Sequence, residues 1–253
     1  MPVRRTLELC KKKQGHLTEL ERLASEWGDW WIWCAFEPRL KVLVAFVVGK
    51  RDLESARRLM EEVKKRSDGF IPLFTSDELS PYEDALKMVY GTMEVPSYSG
   101  RGRPPKYPVI IPDPSLDYAQ VVKTRRKGRV VKVKTKVVLG NPERIEERLK
   151  ASPVSNKINI SLVERNNSTL RQDCRRLTRK TYGFSKRVDM LEGHINIISA
   201  IYHLCRYHHG LKEPLPFQTQ RRKWYHRTPA MVAGITDHKW AIMELLRYPM
   251  INN

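Results

Sequence analysis

Two apolar runs lying close together constrain this chain more than any other feature. Trp30–Phe36 reads WWIWCAF and Val42–Val48 reads VLVAFVV, with only residues 37–41, Pro38 among them, in between. Runs of that length and composition are strands, and so short a connection can only join them as an antiparallel hairpin. Neither run alternates apolar with polar residues, so other parts of the chain must cover both faces of the hairpin. Beyond Gly49, Asp52 stands where a helix N-cap belongs. Leu53, Ala56, Leu59, Met60 and Val63 then recur at helical spacing through about Arg66. Phe70–Phe74 (FIPLF) reads as a short buried strand running into Thr75-Ser76-Asp77. A helix from about Pro81 to Tyr90 follows, with proline in its first turn. Strands alternating with helices in this way predict an α/β fold.

The pattern changes in the middle of the chain. Pro96–Pro114 carries prolines in quick succession together with Gly100 and Gly102, the composition of a loop. Asp117–Val122 (DYAQVV) can return to the sheet. Arg129–Leu139 (RVVKVKTKVVL) alternates basic and apolar residues and reads as a half-exposed β-arm with a cationic face. Val154–Arg179 and His194–Tyr207 read as mainly helical, and the tail from Thr228 to Arg247 opens on a proline-containing helix start. The expected divisions are 1–95, a loop at 96–116, a second sheet-forming part at 117–210 that includes the arm, and a helical extension at 211–253.

Charge narrows the partners. The chain holds 47 Lys and Arg against 28 Asp and Glu, a formal net charge of +19. Residues 1–100 are balanced, 16 basic against 16 acidic; residues 101–253 hold 31 basic against 12 acidic and so carry the whole surplus. The stretch 123–187 is the most cationic, 20 basic against 5 acidic. A neutral part joined to a strongly cationic part points to a polyanion, and nucleic acid fits better than a lipid surface because no amphipathic helix sits beside an apolar anchor. Apolar runs such as Val42–Val48 fall far short of the roughly 20 residues of a membrane span. No signal peptide is expected, since Arg4, Arg5 and Lys11–Lys13 have no apolar stretch between them. Four widely spaced cysteines without a C-x-x-C pair argue for a reducing compartment and against a structural zinc site. The expected location is cytoplasmic and nucleoid-associated.

Two acidic residues stand out by position. Asp77 follows a buried strand, where α/β sheets present their ligands. Glu164 lies on a helix in the most basic part of the chain, at the edge of an apolar stripe of Val163, Leu170, Cys174 and Leu177, with Arg171 and Arg175 following at i+7 and i+11. Carboxylates beside guanidinium groups can hold Mg²⁺ (or Mn²⁺) while the arginines take phosphates. Equally, a strand-end Asp can be a helix cap and a Glu among arginines a salt-bridge partner. His203, Cys205, His208 and His209 (HLCRYHH) could mimic a metal cluster but lack the usual four-ligand zinc spacing.

Val163–Thr181 reads VERNNSTLRQDCRRLTRKT and continues to Phe184-Ser185-Lys186. This resembles the catalytic-glutamate segment, E-R-x-N-x-x-L-R-Q-x-x-x-R-L-x-R-K-x-x-x-F-S-K, of transposases from the small insertion-sequence family whose type element encodes overlapping, frameshifted reading frames. Phe74–Tyr82 (FTSDELSPY) resembles the T-D-G-x-x-x-Y segment around their second catalytic Asp, with Glu78 where Gly is usual. Gly28–Arg51 resembles their early hairpin, and Tyr207–Leu211 and Arg227–Thr236 resemble the end of long members; the likeness covers most of residues 10–247. The resemblance implies an RNase H-like mixed β-sheet flanked by helices, with a basic β-arm insertion and a helical C-terminal extension. It implies a DDE-type transposase that cuts and joins DNA with Mg²⁺ (or Mn²⁺), with Asp77 and Glu164 as the second and third metal-binding acids. Arg125, Arg126, Lys132, Lys134, Arg165, Asn167, Arg171, Arg175, Arg179, Lys180 and Lys186 would contact DNA at the element ends and target, in a self-associated complex. The first acid departs from the pattern. With Lys11–Lys13 in the family's lysine positions and Thr6–Cys10 (TLELC) on the strand, Arg4 or Arg5 falls where Asp belongs, and Glu8 is out of register. The chain is thus expected to be a catalytic half truncated at its N-terminus or derived by frameshift, crippled by loss of the first Asp; the alternative reading is a non-catalytic DNA-binding remnant or inhibitor of transposition.

Overall fold

The structure, a computed structural model, describes residues 1–10, 14–23, 27–95, 107–178, 182–217 and 223–248. Strand β1 (Pro2–Cys10) opens the chain, followed by a short helix α1 (Glu19–Leu23) and the hairpin strands β2 (Gly28–Glu37) and β3 (Val42–Gly49). Next come α2 (Leu53–Lys65), β4 (Phe74–Asp77), α3 (Ser80–Tyr90), β5 (Gly91–Glu94), β6 (Val109–Pro112), β7 (Tyr118–Arg126) and β8 (Arg129–Leu139). Helices α4 (Pro142–Lys150), α5 (Ser161–Asp173) and α6 (Val188–Ala200) follow, then β9 (Glu213–Pro214), β10 (Trp224–Tyr225), α7 (Pro229–Val232) and α8 (Ile242–Arg247).

Six strands form one mixed sheet in the order β3-β2-β1-β4-β7-β8. The hairpin falls where the apolar runs put it, and residues 32–36 are all buried, as expected of a strand covered on both faces. The centre of the sheet is parallel: Pro2 and Val3 lie level with Thr75 and Ser76, and Phe74–Asp77 pair with Tyr118–Val121. The β7–β8 hairpin turns through Lys127 and Gly128, both at positive φ (49° and 78°), the signature of a tight primed turn that matches strand twist. At the base of β8, Gly140 (φ 92°) cannot be replaced, because a Cβ there would meet Asp117 Oδ1 at 2.1 Å.

The tertiary contacts group the chain into two units, Met1–Leu7 with Trp30–Ala35 and Val44–Arg165, and Glu8–Asp29 with Phe36–Leu43 and Asn166–Asn253. In the first, α2 and α3 pack on each other and bury Ala56, Leu59, Met60, Val63, Tyr82 and Leu86 in one core with Val3, Trp33, Phe74 and Tyr118 of the sheet. Asp52 Oδ1 caps α2 by accepting from Ser55 N at 2.9 Å, which satisfies one of the orphan amides of the first turn. The buried Asp117 is held by Arg144 (Nη2 donating to Oδ1 at 2.6 Å) and Arg148 (Nη1–Oδ2 3.1 Å), a structural ion pair that ties α4 to the start of β7. In the second unit, Asp29 N donates to Gln14 Oε1 and Asp29 Oδ1 accepts from Gln14 N, and α6 runs on into a π-helical turn at Ile201–Cys205.

Four elements differ from the sequence expectation. The strand before Asp77 begins at Phe74 rather than Phe70: Asp68 and Gly69 take positive φ, Pro72 has no amide to donate, and Phe70 is left 66% exposed. Part of the expected loop is strand, because the β-branched Val109, Ile110 and Ile111 pair antiparallel with β5. The glutamate helix spans only Ser161–Asp173. Before it, Ser155 Oγ accepts from Lys157 N and Asn159 Nδ2, side-chain bonds that compete with helix formation, and after it Cys174 is extended (φ −106°, ψ 100°). The C-terminal segment holds the small β9–β10 ladder besides its two short helices.

Trp33 is fully buried, packs edge-on against Tyr82 at 5.3 Å and donates its Nε1 to Lys50 O at 3.0 Å. Trp33→Ala should therefore cost about 3–5 kcal/mol of unfolding free energy, read from urea denaturation; a loss below about 1 kcal/mol would mean that the hairpin does not anchor this core.

Candidate functional site

Strand register gathers the site. Side chains level with one another on parallel strands share a face, and alternate residues along a strand return to it. Asp77 pairs with Val121, so Lys123, two residues on, shares its face. The β1–β4 register, carried one step past Val3 and Ser76, sets Arg4 level with Asp77. Arg4, Asp77 and Lys123 thus stand on three adjacent strands, on the face opposite the α2–α3 core.

Helix α5 adds Glu164 to that face. Val163 and Ile160 beside it are buried, and Glu164 N donates to Ile160 O at 3.0 Å, fixing the first turn. Glu164 Oε1 accepts from Arg4 Nη1 and from Lys123 Nζ, the latter at 2.7 Å. Arg4 and Lys123 are each 28% exposed and Glu164 33%, so the group is partly desolvated yet open to solvent. Burial, and then the repulsion of Arg4 and Arg125, pull the Lys123 ammonium below its ordinary value; the Asp77 carboxylate opposes them. Lys123 contacts Glu164 and shares its strand face with Asp77, so the two carboxylates that the sequence singled out lie on one face of the sheet. Sequence reasoning did not find Lys123; its only signal was its place two residues beyond Val121 on an alternating strand.

A divalent ion of the Mg²⁺ type needs carboxylate oxygens free to coordinate it. Asp77 offers one, since its Oδ1 is buried without a partner among the described residues. Glu164 Oε1 instead carries two cationic donors, and among the described residues no three of His, Cys, Asp and Glu gather to hold a metal. A Glu164 carboxylate already held by a guanidinium and an ammonium does not fit a two-metal centre. Glu8 lies on β1, and its side chain is outside the described residues.

The basic residues fall into separate groups. Arg125, Arg126, Lys132 and Lys134 are exposed on the β7–β8 hairpin, where no acidic residue occurs between Asp117 and Glu143. In the second unit, Arg175 and Lys186 share an open cavity of about 470 Å³ with Arg176, Phe184, Arg187 and His194, and among the described residues no carboxylate lines it. Arg176 Nη1 donates to Ser185 Oγ at 3.3 Å there, and burial followed by Arg176 lowers the pKa of His194. The expectation that Arg175 continues the α5 face does not hold, because the extended Cys174 breaks the helix before it. Arg165 is exposed, Arg171 half-buried, and Asn167 only 4% exposed with its Oδ1 lacking a partner among the described residues. Arg179 and Lys180 lie outside the described residues.

Residues 137–205 match the family model of the IS1 transposase, about a quarter of the chain. That stretch includes Glu164, Arg165, Asn167, Arg171, Arg175 and Lys186, and supports an insertion-sequence transposase. No curated protein and no solved structure matches the chain. Among the described residues no helix is long and apolar enough to cross a membrane.

The histidine-rich segment is tied into the backbone. His203 Nε2 accepts from Leu43 N at 3.0 Å, its ring packs edge-on to Tyr202 at 5.2 Å, and His208 Nδ1 accepts from Gly210 N. Burial pushes the His203 pKa from 6.5 to about 4, so the neutral ring stabilises the fold fully above pH 6.5 and that contribution is lost as pH falls towards 4. The melting temperature should drop across this window, and His203→Gln should flatten the drop; an unchanged pH profile would remove His203 from the fold's acid sensitivity.

Proposed function

We propose that this chain is a DNA-binding transposase chain of insertion-sequence type, built on an RNase H-like sheet, which grips element DNA through the cationic β7–β8 hairpin beside the Asp77–Glu164 face. The observation that carries the reading is that Asp77, Glu164 and Lys123 share one sheet face at the root of a hairpin with exposed arginines and lysines and no acid. The strand order, with β4 parallel to β1 and β7 parallel to β4 beyond an early hairpin, supports the RNase H-like assignment. Self-association on DNA and a nucleoid location belong to the same reading.

Between a cleaving enzyme and a non-cleaving DNA binder, Arg4 on Glu164 favours the binder for the chain as it stands. Held on the element end without cutting it, such a chain would compete with an intact transposase. A nicking assay on supercoiled plasmid with Mg²⁺ or Mn²⁺ should give no product; nicking that Asp77→Ala abolishes would establish the cleaving enzyme instead.

Gripping by the hairpin makes binding salt-dependent through counterion release. Replacing Arg125, Arg126, Lys132 and Lys134 together by Gln should weaken duplex binding and flatten the plot of log affinity against log salt by about 0.9 per lost phosphate contact. An unchanged slope would assign these charges to solubility and to protection of the β8 edge.

A further inference from the structure

We propose that Arg4 and Lys123 serve as built-in counter-ions, so that the Asp77–Glu164 face receives a DNA backbone phosphate without any divalent metal. The proposal rests on the DNA-binding reading above and specifies how that face is used.

The charges decide it. Three carboxylates in such a place carry a formal −3 and repel a phosphate until metal ions arrive. Here the Arg4 guanidinium and the Lys123 ammonium both contact Glu164, and among these four described groups they match Asp77 and Glu164 in number. Both cations sit on the sheet face that carries Asp77 and keep contact with solvent. A guanidinium has five N–H donors in a planar fork, so one edge can meet a carboxylate while another meets a phosphate oxygen; an ammonium with three donors can bridge in the same way. Exposed Arg125, two residues beyond Lys123 on β7, extends the cationic track outward. Glu164 then acts as a positioning residue, holding the two cations at a fixed spacing.

This assignment reverses the sign expected of Glu164. A metal-binding Glu strengthens phosphate binding through its ion, whereas a Glu that partly neutralises Arg4 and Lys123 weakens it. The test is fluorescence anisotropy of a labelled mixed-sequence duplex at matched ionic strength, in EDTA and in Mg²⁺, for the native chain, Arg4→Asp and Glu164→Gln, with circular dichroism melting of each. The native chain should bind equally, within about twofold, in both conditions. Glu164→Gln should bind several-fold more tightly in EDTA, since both cations are released to the phosphate. Arg4→Asp should lose about tenfold in EDTA, the response to two units of charge at a phosphate contact. It should regain part of that in Mg²⁺ and gain a Mn²⁺-dependent rise in melting temperature. Should Arg4→Asp fail to fold, the near-isosteric Glu164→Gln decides alone. Native binding that requires Mg²⁺, or weaker binding by Glu164→Gln, overturns the proposal and leaves the DNA-binding reading intact; no binding in either condition overturns that reading itself.

Discussion

The parallel register of β1, β4 and β7 is the constraint on which the rest depends. Because side chains alternate along a strand, a slip of one residue would send Asp77 into the α2–α3 core and Ser76 to the opposite face. Ser76 is instead fixed on the core side, its hydroxyl 2.6 Å from Tyr118 OH, which also accepts from Gln120 Nε2 at 2.9 Å. Those buried polar groups need one another as partners, so the register that satisfies them is the register that exposes Asp77 and Lys123. Packing on one face of the sheet thereby determines the chemistry of the other.

Electrostatics on the exposed face follows from the residue that β1 places there, Arg4. An acid there would make the face strongly anionic. Arg4 instead holds Glu164, with Lys123 as a second clamp on the same carboxylate. A partly exposed network of this kind contributes little to stability in water, and its effect falls on what the face can bind. The edge strand β8 is subject to a related constraint. Its exposed lysines protect an otherwise open edge from pairing with other chains.

Much of the architecture was readable from local pattern. The hairpin followed from two unbroken apolar runs, α2 from a 3.6-residue stripe behind Asp52, and the span of β8 from its near-alternation, although Arg129–Lys136 is exposed throughout rather than by half, because each signal lies within a few residues of the structure it specifies. Asp77 and Glu164 were readable as strand-end and helix-edge acids in a basic setting. The ladder of β5 with β6, the late start of β4 at Phe74 and the break at Cys174 were not, since each depends on a distant strand or on backbone bonds that override propensity.

The sequence by itself determined the α/β class, the concentration of positive charge after residue 100, and a basic residue near the first acidic position of the family it resembles. It could not say what that residue touches. Arg4 and Glu164 are 160 positions apart, and Lys123 is 41 from the same carboxylate. Only the parallel register and the seating of the first turn of α5 set two cations on one carboxylate, because a salt bridge is a fact of distance in space, which periodicity along a chain does not carry.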